Sequence, residues 1–322
     1  METPSPQATS PATAAPLVTV VIPTFNRAGL LARAVSSVLA QTLTRWEMFV
    51  VIDGDDPATV AYLGLVGDPR VRWIAHATKR GPGEARNTGA FAGSAPFMAF
   101  LDDDDEWAPE KLAKQVALGE DGRAVVMTVS HVVTPEGTYV WPARPYDGRQ
   151  PLDEWLFASK GGESFLQTSS LLVPRGLFDK VCFRDTNQHE EWELVLRSVK
   201  THGYQLRTVP EPLTVHYMGG ARKTQASELA WRNSMRWADE LGLLTPRAYA
   251  GFLLTMIAPT AFNKGDVSGT LPMLRAAFAR GCPGASQLAR FALARLLPSK
   301  VRHRMKGLLR GGQASADARA VD

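Results

Sequence analysis

The sequence predicts an α/β protein with a mostly parallel sheet, a mixed second half and a helical C-terminal extension. In the first part of the chain, short apolar runs rich in β-branched residues alternate with stretches whose apolar residues recur every three or four positions. That alternation is typical of strands and helices wound into a parallel sheet. Later runs are joined by a short turn, which indicates antiparallel pairing, and the C-terminal third has only helical spacing.

The first half contains four strand runs with helices between them. The strands are predicted at 18–22, 48–52, 71–75 and 97–101, and the helices at 30–39, 57–66, 84–91 and near residue 109. Ligands bind parallel sheets outside the carboxyl ends of the strands. The polar residues that follow the strands are therefore candidate site residues: Thr24, Asp53 and the run Asp102 to Asp105.

The second half predicts a mixed arrangement. Strands are expected at 124–133, 138–141 and 165–173, and helices at 152–158, from 190, at 226–241 and at 245–259. If Leu171 and Val173 face inward, the residues 167–169 of the same strand face a cleft. Trp155 either stacks on a sugar or packs in the core, and packing is favoured.

Composition indicates an ordinary globular protein of a reducing compartment. The chain has 322 residues, 45% hydrophobic and 21% charged, and its two cysteines are 100 positions apart without the spacing of a zinc site or a disulfide scaffold. Residues 1–16 lack an apolar core and basic residues, so they predict a disordered leader and no export signal. We expect a cytoplasmic protein.

Positive charge is concentrated near the C-terminus. Residues 267–316 contain nine Lys or Arg and no acidic residue, so the rest of the chain has a net charge of about −5 within a total of +4. A helix at 299–310 would place apolar residues on one side and basic residues on the other, which favours an anionic membrane surface as its partner. Nucleic acid is disfavoured because no nucleic-acid motif is present.

Four consecutive carboxylates, Asp102 to Asp105, follow the run Phe97 to Leu101. Like charges at close spacing in a poorly hydrated cleft repel one another, and a bound divalent cation relieves that repulsion. The run alone leaves two interpretations open, a metal site and a solvated acidic turn that caps the helix near Pro109.

Five motifs occur together and in order: VVIPTFNR at 20–27, VVIDGDD at 50–56, GxxxARN at 81–87, FLDDDDEW at 100–107 and HEEWELVLR at 189–197. In this combination the chain resembles the family 2 inverting glycosyltransferases of the GT-A fold, over roughly residues 18–217. The resemblance implies a nucleotide-sugar donor, a divalent metal and transfer with inversion at the anomeric carbon.

The resemblance also implies a donor site. Pro23, Thr24 and Phe25 would shape the nucleobase slot, or they pack as an ordinary loop. Asp53 matches the acid that contacts uracil in the family, or it caps a turn. The residues after it depart from the usual D-D-G-S order, which leaves the base open. Arg86 would pair with phosphate or with the acidic cluster itself.

A metal site follows from the same resemblance. Asp102, Asp103 and Asp104 match the family D-x-D, so Mg²⁺ or Mn²⁺ would be held by Asp104, with Asp102 on the ribose or the metal. Asp105 would hold the loop or cap the next helix. His216 lies in a segment that resembles the one closing the family's site; it would touch the metal or a phosphate, or pack as a strand histidine.

The base is expected in the last motif. Glu191 aligns with the family residue that deprotonates the acceptor hydroxyl, and Glu190 is the alternative. Both fall in the first turn of a predicted helix, where acidic residues also occur for helix stability alone. His189 would bond the acceptor or the leaving phosphate, or it is a satisfied loop histidine.

The domain organisation expected from these motifs is a leader at 1–16, a nucleotide-sugar half at 17–122, an acceptor half at 123–222, a helical extension at 223–298 and a basic amphipathic helix and tail at 299–322. The predicted function is transfer of a sugar from a nucleotide-sugar donor, UDP-linked by the resemblance, to a glycan or lipid-linked acceptor at the inner face of the plasma membrane. The alternative is a non-catalytic nucleotide- or glycan-binding protein that keeps the fold.

Overall fold

The structure is a computed structural model that describes residues 14–159, 164–184, 188–218 and 230–297. Most of the predicted leader and the predicted basic helix at 299–310 lie outside the described residues. The chain divides into two compact units. The first comprises residues up to 133, 167–185 and 209–217, and the second comprises 134–166, 186–208 and the residues from 218 onward.

The first unit is built on a sheet with helices between its strands. Its strands are β1 Val18–Thr24, β2 Trp46–Ile52, β3 Val71–Ala75, β4 Phe97–Phe100, β5 Glu106–Trp107, β6 Ala124–Thr134, β8 Leu171–Pro174 and β9 Gln205–Tyr217, of which residues 209–217 belong to this unit. Its helices are α1 Ala28–Leu39, α2 Pro57–Gly64, α3 Pro82–Ala92, α4 Lys111–Gly119 and α6 Arg175–Val181.

The strand order is β3-β2-β1-β4-β8-β6-β9-β5. The first four strands are parallel, whereas β8 runs antiparallel to β4 and β6, and β5 runs antiparallel to β9. The register pairs Thr24 with Ile52 and Val21 with Phe100, so β1, β2 and β4 end at the same edge of the sheet. Every residue of β1 and β2 is buried because helices cover both faces of this part of the sheet.

The second unit is mainly helical. It contains β7 Gly137–Trp141, α5 Leu152–Ala158, α7 Glu190–Lys200, α8 Ala230–Leu241, α9 Pro246–Gly251, α10 Ala258–Asn263, α11 Thr270–Ala279 and α12 Ala285–Leu296. An aromatic core joins α5, α7 and the segment after α9, where the Phe157 ring contacts those of Trp192 and Phe252 edge-on. Trp155 is buried, as the packing interpretation predicts.

Two predicted elements are wrong. Residues 165–173 do not form one strand, because a 3₁₀ turn at Thr168–Ser170 precedes β8. Gln167, Thr168 and Ser169 are therefore buried and do not face a cleft. Pro259 does not end a helix either. Phe252–Ile257 form a π-helical segment between α9 and α10, and its wider turn accommodates the proline that follows.

No helix in the described parts of the chain combines the length and the apolar character needed to cross a bilayer.

Candidate functional site

Polar residues converge where β1, β2 and β4 end. The register of the parallel strands puts Thr24, Asp53 and Asp102 at the same edge, as predicted from the sequence. Thr24 Oγ1 donates a 2.7 Å hydrogen bond to Asp103 Oδ2, which ties the loop after β1 to the aspartate run after β4. The edge is therefore a connected polar network.

The loop after β1 is held in one conformation. Asn26 adopts a left-handed backbone with φ of 55°, and its amide donates to Asp56 Oδ2 at 2.7 Å. Asp56 also accepts from the backbone amide of Thr59 and so caps α2. This arrangement brings the Arg27 guanidinium to the aspartates, with Nη1 at 3.1 Å from Asp103 Oδ1.

Arg86, on α3, pairs with the first aspartate of the run. Its Nη2 lies 2.7 Å from Asp102 Oδ1, so Arg86 contacts the acidic cluster, one of its two predicted partners. The Arg86 side chain is buried and that of Asp102 is partly exposed, so the pair is screened less by solvent and salt than a fully exposed pair.

Asp105 holds the loop that follows β4 through buried contacts. Its carboxylate is completely buried and accepts from Ser169 Oγ at 2.7 Å, while His216 Nδ1 lies 3.0 Å from it. Ser169 Oγ in turn accepts from the backbone amide of Asp102 at 3.0 Å. The prediction that Asp105 holds the loop is confirmed by these contacts.

A second arginine fixes the backbone of the run. Arg33, on α1, donates from Nη2 to the carbonyl oxygen of Asp104 at 2.7 Å and pairs through Nε with Glu106 at 3.0 Å. Its guanidinium stacks on the Tyr217 ring, 4.0 Å from the centroid. The peptide of Asp104 is thereby fixed from α1 and from the end of β9.

Burial and mutual repulsion shape the charge of the cluster. Burial raises the pKa of Asp103 to about 6, although the bonds from Thr24 and Arg27 oppose the rise. Burial likewise raises the pKa of Asp105, against the bonds from His216 and Ser169. These carboxyls are held in a region where negative charge is costly unless a cation balances it.

Three of the aspartates fit a metal ion. Asp102, Asp104 and Asp105 each offer a carboxylate oxygen, and these oxygens lie within 4.8 Å of one another. An oxygen donor set of this kind suits Mg²⁺ or Mn²⁺. His216, predicted from the sequence as a ligand, has its Nδ1 on Asp105, so in this structure it contacts a carboxylate of the group.

Asp53 holds the loop that leads into α3. It accepts from the backbone amides of Arg80 at 2.8 Å and Gly81 at 2.9 Å, and His76 Nδ1 lies 3.0 Å from it. Burial alone would raise the pKa of Asp53, but the bonds from Arg80, His76 and Gly81 outweigh burial and hold the pKa below its usual value. Asp53 is therefore ionised and oriented at this edge.

Phe25 and Gly54 pack closely beside Asp53. A Cβ at Gly54, whose φ is +131°, would lie 2.9 Å from the Phe25 ring, so both the backbone conformation and the space favour glycine. The Lys79 ammonium lies 5.0 Å from the centroid of the half-buried ring. Pro23, the next-to-last residue of β1, is buried in the sheet.

The second unit contains the predicted base. Glu190 and Glu191 begin α7, as predicted, with Glu190 buried and Glu191 half-buried. His189 precedes them in a left-handed conformation with φ of 65°. Its ring stacks on Trp192 at 4.9 Å, and its Nε2 lies 2.9 Å from Ser234 Oγ, so His189 is a packed loop histidine.

Sequence reasoning missed two arginines that organise the first-unit site and misplaced Ser169. Arg27 lies within the VVIPTFNR motif, and its charge next to the strand end was a usable signal. Arg33 carried none, because an arginine on a helix surface is ordinary. Ser169 was expected to face a cleft, but in the structure it is buried and bonds the aspartate run. Their roles arise only when distant segments meet.

Comparisons with known proteins show the family to which the chain belongs. The sequence profile of "Glycosyl transferase family 2" matches residues 19–181, just over half of the chain. The amylovoran biosynthesis glycosyltransferase AmsB of Erwinia amylovora is 24% identical over 238 residues, covering 69% of this chain and 76% of that protein. The succinoglycan biosynthesis protein ExoO of Rhizobium meliloti (strain 1021) is 42% identical over 101 residues, which cover 31% of this chain and only 29% of ExoO.

A third relative is the UDP-Glc:alpha-D-GlcNAc-diphosphoundecaprenol beta-1,3-glucosyltransferase WfgD of Escherichia coli, 33% identical over 102 residues that cover 32% of this chain and 40% of WfgD. Among solved structures, S. aureus TarS 1–349 in complex with UDP-GlcNAc superposes with a TM-score of 0.55 at 14% identity, covering 86% of this chain and 90% of that one.

The mannosyltransferase PcManGT of Pyrobaculum calidifontis, in complex with GDP-Man and Mn²⁺, superposes with a TM-score of 0.57 at 18% identity, covering 94% of this chain and 87% of that one. These two likenesses concern the fold. With the profile match across the nucleotide-side strands and the aspartate run, they lead to one conclusion: the chain belongs to family 2 of the glycosyltransferases and has the GT-A fold.

Proposed function

We propose that the chain transfers a sugar from a nucleotide-sugar donor to a hydroxyl of a glycan or lipid-linked acceptor, with inversion and with the help of Mg²⁺ or Mn²⁺. The observation that supports this most directly is the group of three aspartate oxygens within 4.8 Å, with Arg86 paired to Asp102 of the group and Arg27 paired to the neighbouring Asp103.

The metal would be held by Asp104 and Asp102, with Asp105 close enough to contribute. When bound, a divalent ion stabilises the negative charge that develops on the leaving nucleoside diphosphate. Ser169 and Arg33 keep the aspartate run in place by bonding its backbone. His216 acts on the same run through its contact with Asp105.

The donor base would lie against Phe25 and Asp53. The ionised Asp53 is suited to accept from a base N–H, and the Phe25 ring offers an apolar face beside it. We take the donor to be UDP-linked. TarS was crystallised with UDP-GlcNAc and PcManGT with GDP-Man, so a direct comparison of UDP and GDP tests this choice.

Glu191 is proposed as the base that takes the proton from the acceptor hydroxyl. It is half-buried, whereas Glu190 is buried, so Glu191 is the more accessible of the two carboxylates to a substrate. The matching experiment is Glu191→Gln, which should lose transfer while keeping Mn²⁺-dependent UDP binding. Normal turnover in that variant would remove Glu191 from the role.

The metal proposal is tested with Asp104→Asn. We expect this variant to lose Mn²⁺-dependent binding of UDP, measured by calorimetry, and to release no nucleoside diphosphate from a UDP-sugar. Asp68→Asn is the matched control, since Asp68 pairs with Arg70 on the surface of the same unit. If the wild type binds UDP and Mn²⁺ but never cleaves any donor in a panel of UDP- and GDP-sugars, the transferase function is wrong.

The acceptor is proposed to be attached to a membrane lipid. WfgD acts on a diphosphoundecaprenol-linked sugar, and AmsB and ExoO are proteins of polysaccharide biosynthesis. On this basis we propose that the chain works in the synthesis of a cell-envelope polysaccharide, at the cytoplasmic face of the membrane.

Binding to an anionic membrane is proposed for the basic helix predicted at 299–310, with α11 and α12 taking part. Leu271, Arg275 and Phe278 recur at helical spacing on α11, and all three are exposed. On α12, Leu296 is 75% exposed next to the exposed Arg295. Apolar residues beside arginines suit an interface rich in anionic lipid.

The membrane proposal is tested by flotation of the whole protein with vesicles. Binding to phosphatidylglycerol vesicles, weaker binding to phosphatidylcholine vesicles and loss of binding in Phe278→Ser combined with Leu296→Ser would support it. Leu65→Ser is the control, because Leu65, at the end of α2 in the first unit, is 86% exposed, even more than Leu296. Equal recovery in the absence and presence of anionic lipid would refute it.

A further inference from the structure

Arg27 contacts two carboxylates of the aspartate run at once. Its Nη1 lies 3.1 Å from Asp103 Oδ1 and 3.5 Å from Asp104 Oδ2. The Arg27 side chain is 38% exposed, whereas those of Asp103 and Asp104 are 6% and 12% exposed. The guanidinium is thus accessible to solvent, and the carboxylates it pairs with are largely not.

The backbone of Arg27 is fixed, but its side chain is not enclosed. Its carbonyl oxygen accepts the amides of Leu30 and Leu31 at the start of α1, and the preceding Asn26 is bonded to Asp56. A long, half-exposed side chain on a fixed backbone can move its charged end by several ångströms through rotamer changes alone.

A cation on Asp104 would compete with Arg27. Asp104 belongs to the group of oxygens that fits a divalent ion, and the same carboxylate is within ion-pair distance of the guanidinium. Two positive charges cannot both be close neighbours of one carboxylate without repelling each other. The guanidinium of Arg27 and a divalent ion would therefore compete for the Asp104 carboxylate.

We propose that Arg27 is an exchangeable counter-ion of the aspartate run: it holds Asp103 and Asp104 in the metal-free protein and moves to the donor diphosphate when the divalent ion takes Asp104. The proposal rests on the proposed function for the diphosphate and the ion. Arginine suits the second role because its fork of donors matches phosphate oxygens. In the metal-free protein Arg27 would balance the negative charges of Asp103 and Asp104. In the protein with ion and donor bound it would contact the donor diphosphate.

The test measures two affinities of the full chain with opposite expected changes. In Arg27→Gln, Mn²⁺ binding without nucleotide, followed by the EPR signal of free Mn²⁺, should tighten about threefold because the competing ion pair is gone. UDP binding at saturating Mn²⁺, measured by calorimetry, should weaken about tenfold because a charge-assisted contact to phosphate is lost.

Arg70→Gln is the matched control. Arg70 also pairs with an aspartate, Asp68, and its side chain is 36% exposed, close to the value for Arg27. Loss of this charge should leave both affinities unchanged. If Arg27→Gln does not fold, Arg27→Lys replaces it, since a single ammonium cannot reproduce the fork; smaller changes in the same two directions are then expected.

Two results would overturn the proposal. One is Mn²⁺ binding to Arg27→Gln that is no tighter than to the wild type. The other is a crystal structure with Mn²⁺ and UDP in which the guanidinium remains on Asp103 and Asp104. Failure of the proposed function is seen separately: the wild type would not bind Mn²⁺, or Asp104→Asn would bind it unchanged, before any Arg27 variant is compared.

Discussion

The hydroxyl of Ser169 joins two points of the aspartate run, and its removal should weaken the fold and the site together. Ser169 is 0% exposed; its Oγ accepts from the amide of Asp102 and donates to Asp105. In Ser169→Ala the backbone contacts of residue 169, including the 2.7 Å bond from Trp107 Nε1 to its carbonyl oxygen, can persist. The change therefore removes the bridge alone.

The expected cost follows from the two groups left without this partner. Loss of a buried hydrogen bond costs about 1 to 3 kcal/mol, and more when the partner is charged, so the two losses together predict a decrease of about 3 kcal/mol in the free energy of unfolding. Urea unfolding followed by tryptophan fluorescence measures it. Because the bridge also positions carboxylates of the candidate metal site, Mn²⁺ affinity should fall about tenfold.

Ser130→Ala is the control for this substitution. Ser130 lies in β6 of the same unit and is 1% exposed, but its hydroxyl has no hydrogen-bond partner among the described residues. Removing a buried hydroxyl without a partner should be neutral or slightly stabilising. If Ser169→Ala costs no more than Ser130→Ala, the bridging role of Ser169 is wrong.

Three further predictions concern stability, each measured by urea unfolding. Burial lowers the pKa of His189 to about 4, below its unfolded value near 6.5. The free energy of unfolding should therefore fall by up to about 3 kcal/mol as the pH drops from 6.5 toward 4. His189→Asn, in which asparagine tolerates the left-handed backbone, should reduce that fall, and an unchanged pH dependence would exclude His189 as its source. Burial also lowers the pKa of Lys111 well below its usual value. Stability should therefore rise as the pH increases from the lowered folded pKa toward the unfolded pKa of about 10.4, where the unfolded chain also loses the proton. Lys111→Met should remove this rise, and a rise that persists would exclude Lys111 as its source. Gly89→Ala should cost about 2 kcal/mol because its Cβ would overlap Val21, whereas Gly29→Ala, in open space on α1, should be neutral or stabilising; equal effects of the two alanines would argue against close packing of α3 on β1.

Local patterns predicted most of the regular elements. β3 at 71–75 and α5 at 152–158 have the predicted bounds, and α2 begins at Pro57 as expected. Each of these depends on interactions a few residues apart, namely β-branched composition, helical spacing and proline at a first helical position. Thr245 is another such case, since its side chain accepts from the amide of Ala248 and caps α9.

The errors arose where distant residues decide the local backbone. The 3₁₀ turn at 168–170 replaces part of a predicted strand because its carbonyl groups bond side chains from elsewhere. Trp107 donates to the carbonyl of Ser169, and Gln115 donates to that of Ser170. Neither partner is close in sequence, so the residue pattern of 165–173 alone does not indicate these two hydrogen bonds.

The parts of the candidate site that lie within short sequence motifs were predictable from the sequence. The aspartate run, Arg86 and the helix start at Glu190 follow from motifs. The contact of Arg27 with Asp103 joins residues 76 positions apart, and the Asp105 contact with His216 joins residues 111 positions apart. Only the register of β1, β4 and β9 in the sheet brings such pairs together.

Asp56 links two loops that a protein engineer would treat as separate modules. One of its oxygens bonds the amide of Asn26, and the carboxylate also starts α2 through Thr59. A segment 23–27 transplanted from another transferase would therefore lose the hydrogen bond that holds its backbone unless the recipient has an acidic residue at position 56. Chimaeras intended to change donor preference should exchange both loops as a single cassette.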